Sequence, residues 1–100
     1  MGKELPKHYR SIKEQYGSYI TAVENLSQVL GEQGPIDEKT AQLVQLAAAA
    51  AIRSEGSVHS HARRARAAGA TQAEIEHVLI LITGTIGFPT VMAALQWVKD

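Results

Sequence analysis

Five consecutive alanines at positions 47–51 constrain this chain more than any other feature of its sequence. Alanine has the highest helix propensity and a side chain of one carbon, so the run predicts a smooth helix that a second helix can approach closely. The 100 residues include 15 alanines and only five aromatic side chains. Because small side chains bury little apolar area, we expect several copies of the chain to complete the core as a homo-oligomer.

Apolar residues recur at helical spacing along the chain, and the alternation typical of strands is absent. The first segment carries a series that we call the N-terminal seam, spaced alternately by three and four: Tyr9, Ile12, Tyr16, Tyr19, Val23, Leu26 and Leu30. The seam packs either within its own domain or against another subunit. Gly17 lies inside it and is a point where the segment can divide into two helices. The sequence predicts an all-α fold of five to six helices.

Glycine and proline separate the N-terminal segment from the remainder of the chain. Gly34 and Pro35 end this segment, and Asp37 is a suitable N-cap for the next helix. We therefore expect a single domain over residues 1–100, with an N-terminal helical segment at 1–35 and a core at 36–100.

Capping signals predict the later helices. A helix over 57–68 is followed by Gly69, a fitting C′ residue. Thr71 and Glu74 have the spacing of a capping box, which marks a helix start. Pro89 suits the first turn of a final helix.

Charge and cysteine content exclude several classes of function. Ten basic and ten acidic residues give a formal net charge of zero, which offers no electrostatic footprint for nucleic acid or anionic lipid. Without cysteine there is no disulfide and no thiolate zinc site. The apolar stretch 78–89 is shorter than the about 20 residues that span a bilayer, and no secretory signal begins the sequence. We expect a cytoplasmic protein that binds neither nucleic acid nor membrane.

Polar side chains between residues 53 and 66 are the candidates for chemistry. On a helix, Ser57, His61 and Arg64 share one face, and Glu55 is predicted at the break just before that helix. A carboxylate, an imidazole and a guanidinium group can support acid–base chemistry on an anionic substrate. An ordinary solvated face with serine caps is the alternative interpretation.

A second group on this helix consists of His59, Arg63 and Arg66. His59 and His61 lack the i, i+4 spacing that two helical imidazoles need to bind one ion, so the sequence predicts no metal site.

Three motifs occur in order between Ile36 and Lys99: IDEKTAQLVQLAAAAA, then HARRARAAGATQAEIEHVL, then GFPTVMAAL. This stretch resembles the carboxymuconolactone decarboxylase and alkylhydroperoxidase D-like (AhpD-like) family, above all in the pattern HxxxAxxAGATxxEIxxVL. The resemblance implies an all-α helical domain that assembles as a homo-oligomer, often a trimer or hexamer.

Peroxidase-like members of the family carry Cys-x-x-Cys-x-x-x-His at the start of this helix. Aligned on His61, their two cysteines fall on Ser54 and Ser57, which are therefore vestigial redox positions, and their relay carboxylate falls on Gln42. Serine forms no disulfide and is not ionised at neutral pH. The sequence as it stands excludes a thiol peroxidase, an activity that returns only if both serines replace native cysteines.

The decarboxylase-like branch keeps the histidine, commonly with a glutamate four residues before it. In this chain Ser57 occupies that position and Glu55 lies two residues earlier. The resemblance implies a lyase or related acid–base enzyme, without cofactor, acting on a small carboxylate or lactone, with His61 transferring the proton and Glu55 or Ser57 orienting it. The expected substrate-binding residues are Arg64, Arg53 and His59. A non-catalytic oligomeric scaffold or ligand-binding protein is the alternative.

Overall fold

The computed structural model describes residues 6–99, and within that range every regular element is a helix. The all-α prediction is therefore confirmed. The helices are α1 (Lys7–Gln15), α2 (Gly17–Glu32), α3 (Glu38–Ala51), α4 (Glu55–Ala67), α5 (Gln72–Leu81), α6 (Thr83–Ile86) and α7 (Phe88–Trp97). None of these helices is long and apolar enough to cross a membrane. The chain divides into two compact units, Met1–Pro35 and Ile36–Asp100.

Residues 6–99 contain seven helices rather than the predicted five to six, for local reasons. Tyr16 leaves the helical region of φ and ψ, so α1 and α2 are separate helices that meet beside Gly17. A four-residue helix, α6, also forms before Gly87, a residue whose positive φ of 93° ends it. A further correction concerns Glu55, which is the first residue of α4 and not part of the break before the helix.

In the first unit, the carboxylate of Glu24 on α2 forms side-chain hydrogen bonds to α1. Glu24 accepts hydrogen bonds from the Tyr9 hydroxyl at 2.7 Å and from the Lys13 ammonium group at 3.2 Å. The Tyr9 bond, followed by the Lys13 bond, lowers the pKa of the Glu24 carboxyl. The part of the N-terminal seam that lies on α2 stays exposed: Tyr19, Val23, Leu26 and Leu30. Those four side chains are therefore not covered within the first unit.

The core of the second unit is built around the α3–α4 pair, its most extensive helix–helix contact. Alanines on both helices are buried in this core, two from α3 and two from α4: Ala49, Ala50, Ala62 and Ala65. The largest fully buried side chains lie on α3, α4, α5 and α7, and one follows the end of α7. They are Leu46, Val58, Ile75, Leu79, Val91 and Val98. Because one-carbon side chains allow helices to approach closely, polar groups on α3 and α4 come within hydrogen-bonding reach.

Predicted caps define where α3 and α5 begin. Asp37 accepts the Thr40 backbone N–H at 2.8 Å, as expected of an N-cap. Thr71 and Glu74 form both bonds of the predicted capping box. Lys39 also lies 3.2 Å from the Glu74 carboxylate and joins the first turns of α3 and α5 at the surface.

The end of α4 closes as a Schellman motif with Gly69 at C′, as predicted. The Gly69 N–H donates to Arg66 O at 3.0 Å and the Ala70 N–H donates to Ala65 O at 2.9 Å. Gly69 has a φ of 103°, a conformation that side chains with a Cβ rarely adopt.

The end of α3 closes by the same two bonds, but with an arginine at C′. The Arg53 N–H donates to Ala50 O and the Ser54 N–H donates to Ala49 O, both at 3.0 Å. Arg53 has a φ of 58°, which is unfavourable for a residue other than glycine. Its guanidinium group donates to the buried Thr90 hydroxyl at 2.5 Å, a contact from this turn to α7 that offsets part of the backbone cost.

Replacing Gly69 with alanine is expected to lower the free energy of unfolding by about 1–2 kcal/mol, because alanine strains the positive φ at C′. The matched control is Gly56→Ala near the start of α4, where open space surrounds the added Cβ and φ is not positive. That control should be neutral or stabilise by up to about 1 kcal/mol. Urea unfolding of both variants measures the difference, and equal effects would contradict this account of the α4 terminus.

Candidate functional site

His61 lies in the middle of α4 and is connected to α3 by a chain of two hydrogen bonds. Its Nδ1 atom is 2.8 Å from Oε1 of Gln42. Gln42 is only 4% exposed, and its Nε2 atom donates to Oε2 of Glu38 at 2.9 Å. We call the series Glu38, Gln42 and His61 the His61 hydrogen-bond chain. It connects a surface carboxylate to a half-buried imidazole through a buried amide.

The second ring nitrogen of His61, Nε2, makes no hydrogen bond to another residue in the described range 6–99. Within the same range, no buried side-chain nitrogen or oxygen lacks a hydrogen-bond partner. Nε2 is therefore at least partly exposed and has no hydrogen-bond partner among the described residues.

The surroundings of His61 favour its neutral form. Burial of the ring is the larger cause, and the positive charge of Arg64 is the smaller one; both lower the pKa of His61 below the ordinary value of 6.5. An imidazole that is neutral at physiological pH has a lone pair with which to accept a proton.

Glu55 and His59 form a separate pair on the exposed side of α4. Nε2 of His59 lies 3.2 Å from Oε2 of Glu55, one helical turn away. The sequence predicts that Glu55 or Ser57 orients His61, whereas the Glu55 carboxylate contacts His59 and the atom that holds His61 is Oε1 of Gln42. Both members of the pair are more than half exposed, so the contact contributes little to stability.

The remaining predicted site residues lie around the start and the exposed side of α4. Ser54 is the N-cap of the helix, although its side chain makes no capping bond. Ser57 is half-buried one turn before His61, and Arg64 is exposed one turn after it. Arg53 is turned to Thr90 by its hydrogen bond. Among residues 6–99, no three His, Asp or Glu side chains lie close enough together to hold a metal ion.

The sequence does not predict Glu38 as part of the site, and the family resemblance marks Gln42 only as a position without the relay carboxylate. The i, i+4 spacing of these two residues is a signal that a side-chain bond on α3 can form. The bond from Gln42 to His61 joins residues 19 positions apart and depends on helix packing, which no local pattern reports.

The carboxymuconolactone decarboxylase family model matches residues 18–100, which is most of the chain. The chain belongs to the carboxymuconolactone decarboxylase family. A crystal structure of a carboxymuconolactone decarboxylase family protein from Legionella pneumophila, in its apo form, superposes with a TM-score of 0.77 at 23% identity, covering 91% of this chain and 81% of that one. At this identity the likeness demonstrates a shared fold. No protein of curated function matches the chain by sequence.

Family membership confirms the resemblance carried by the three sequence motifs. The assignment of Ser54 and Ser57 to vestigial redox positions stays a prediction, as do the roles of Arg53, Arg64 and His59 in this carboxymuconolactone decarboxylase family protein.

Arg64→Ala is expected to raise the pKa of His61, because it removes the positive charge that disfavours the imidazolium form. Arg63→Ala, on the adjacent residue, is the matched control and should leave the titration of His61 unchanged. Histidine-selective NMR titration measures both variants against the wild type. A wild-type midpoint at or above 6.5, or equal effects of the two arginines, would contradict the electrostatic description of this site.

The same pKa shift has a consequence for stability. Because the folded state favours neutral His61, the residue stabilises the fold above its unfolded pKa, and this contribution is lost as the pH falls through its lower folded pKa.

Proposed function

We propose that this carboxymuconolactone decarboxylase family protein uses His61 to transfer a proton in a decarboxylation, or a related acid–base reaction, of a small carboxylate or lactone acid. One observation carries the proposal: Nδ1 of His61 is held by a buried amide while Nε2 remains accessible. A positioned, neutral imidazole is a suitable general base near neutral pH, and the imidazolium that it forms can return the proton to a second substrate atom.

Arg64 is the proposed binding residue for the substrate carboxylate. Its side chain is exposed, lies one turn from His61 and makes no hydrogen bond to another residue in the described part of the chain. A guanidinium group can bind a carboxylate through two parallel N–H donors. The Ser57 hydroxyl, one turn on the other side of His61, offers a further polar contact, and Arg53 keeps N–H donors beyond the one that contacts Thr90.

A non-catalytic ligand-binding protein is the second candidate, and one observation favours it. No carboxylate in residues 6–99 contacts the imidazole of His61, whereas the decarboxylase-like branch is expected to place a glutamate one turn before it. A site of this kind would bind the anionic molecule through Arg64 without transforming it.

His61→Ala is expected to reduce turnover of γ-carboxymuconolactone or a related lactone acid by about 10²–10⁴-fold, the usual contribution of a positioned acid–base group. His77→Ala, which removes an exposed imidazole from α5, is the control and should retain wild-type activity. Product formation by both variants is measured beside the wild type. Equal turnover by wild type and His61→Ala, or none by either, would overturn the proposal in favour of the ligand-binding alternative.

We further propose that the protein functions as a homo-oligomer, a trimer or a hexamer. The support is apolar surface that the chain leaves uncovered in each unit, including Leu26 and Leu30 on α2 and, in the second unit, Leu81 and Phe88. Each of these side chains is more than half exposed, and contiguous exposed apolar surface marks an interaction site. Because the formal net charge is zero, electrostatic repulsion between copies of the chain is weak.

At micromolar concentration the wild-type protein should sediment as a species several times larger than the 10.8 kDa chain. Leu26→Lys places a charge within the N-terminal seam and should shift the distribution to smaller species, because the charge must be desolvated in an interface. Gln28→Lys, on the opposite side of α2, is the matched control and should not. A wild-type monomer at this concentration would contradict the proposal.

A further inference from the structure

We propose that Glu38 and Gln42 are positioning residues that fix the tautomer of His61: the Glu38 carboxylate orients the Gln42 amide, and the amide oxygen holds the imidazole in its Nδ1–H form. The chemical use of Nε2 rests on the proposed function, whereas the tautomer is a property of the resting protein.

The direction of each hydrogen bond follows from the chemistry of the groups. A carboxylate only accepts hydrogen bonds, so the amide group of Gln42 must turn its NH₂ to Glu38, where the separation is 2.9 Å. The amide oxygen then faces His61 at 2.8 Å, and because that oxygen also only accepts, Nδ1 must carry the proton. In a neutral ring this leaves the lone pair on Nε2.

Glu38 is required because the Gln42 amide alone does not determine whether its oxygen or its NH₂ group faces the ring. A Gln42 side chain rotated by half a turn would present NH₂ to the ring and favour the opposite tautomer, with the lone pair on Nδ1. Gln42 is buried, so its NH₂ group must find a protein partner, and Glu38 supplies one from the preceding turn of α3. The exposed carboxylate thereby selects one of two orientations of a buried amide.

An amide at position 42 also differs from a carboxylate in its effect on charge. A carboxylate bonded to Nδ1 would attract the proton of the imidazolium form, whereas the neutral amide orients the ring without stabilising its positive charge. The lowered pKa of His61 is consistent with this arrangement.

The test is the tautomeric state of His61 in the full-length protein, read from two- and three-bond ¹⁵N–¹H correlations of the imidazole at a pH above its midpoint. We expect the wild type to be predominantly Nδ1–H, and Glu38→Ala to shift the ring to a mixture containing the Nε2–H form. Glu38 is exposed, so its truncation should not unfold the chain. Glu38→Gln replaces the carboxylate with an amide that can present either its oxygen or its NH₂ group to Gln42, so it should also give a mixture of the two tautomers.

Glu76→Ala is the matched control. Glu76 accepts a hydrogen bond from Gln72 four residues before it on α5, so the variant breaks the same type of glutamine–glutamate bond without touching the His61 hydrogen-bond chain. It should leave the tautomer of His61 unchanged. Gln42→Glu is the second probe: it should keep Nδ1 protonated but raise the pKa of His61 above its wild-type value.

A wild-type ring in the Nε2–H form would overturn the proposal, as would an unchanged Nδ1–H signal in Glu38→Ala. These outcomes are distinct from failure of the proposed function. If the wild type has the expected tautomer but His61→Ala keeps full activity, the positioning role of Glu38 and Gln42 stands and the catalytic role of His61 is wrong. If activity depends on His61 but the wild-type ring has the opposite tautomer, the catalytic role stands and the positioning role is wrong.

Discussion

The close approach of α3 and α4 is the constraint on which the rest of the second unit depends. Alanines on both helices are buried in the shared core beside Leu46 and Val58, and their one-carbon side chains favour close packing of the two helices. The hydrogen bond of 2.8 Å between Gln42 and His61 spans these helices and exists only at that spacing. Bulkier side chains in the core would separate the helices and break the bond without altering either of its partners.

The polar groups of the site illustrate how one fold can serve different chemistry. The resemblance to peroxidase-like relatives predicts a pair of cysteines at the start of α4, and this chain has Ser54 and Ser57 at those positions. The imidazole of His61 lies one turn further along, and its Nδ1 atom is within hydrogen-bonding distance of the Gln42 amide oxygen. Fold and family alone do not determine the reaction, because the reaction depends on the side chains that the helices present.

The sequence predicts the parts of the structure that local chemistry controls. Helical periodicity, the capping box at Thr71 and the glycine at position 69 all act within a few residues, and the structure contains each of them. The predicted start of α4 at residue 57 is wrong, because Ser54 is the N-cap and Glu55 already lies in the helix, where its carboxylate reaches His59. The partner of His61 could not be predicted, because it depends on how two helices pack across 19 residues. Position 42 was recognisable from the family resemblance, but only as a missing carboxylate.

The turn between α3 and α4 couples two distant positions of the chain. Arg53 occupies a backbone conformation that favours glycine, and its side chain bonds to Thr90, 37 residues away. Loss of the Thr90 hydroxyl would leave the arginine with its backbone cost and without its bond, so glycine would then become the better residue at position 53. The benefit of one substitution thus depends on the other residue. Divergence at these two sites is subject to epistasis, and the order in which changes arise determines which of them are tolerated.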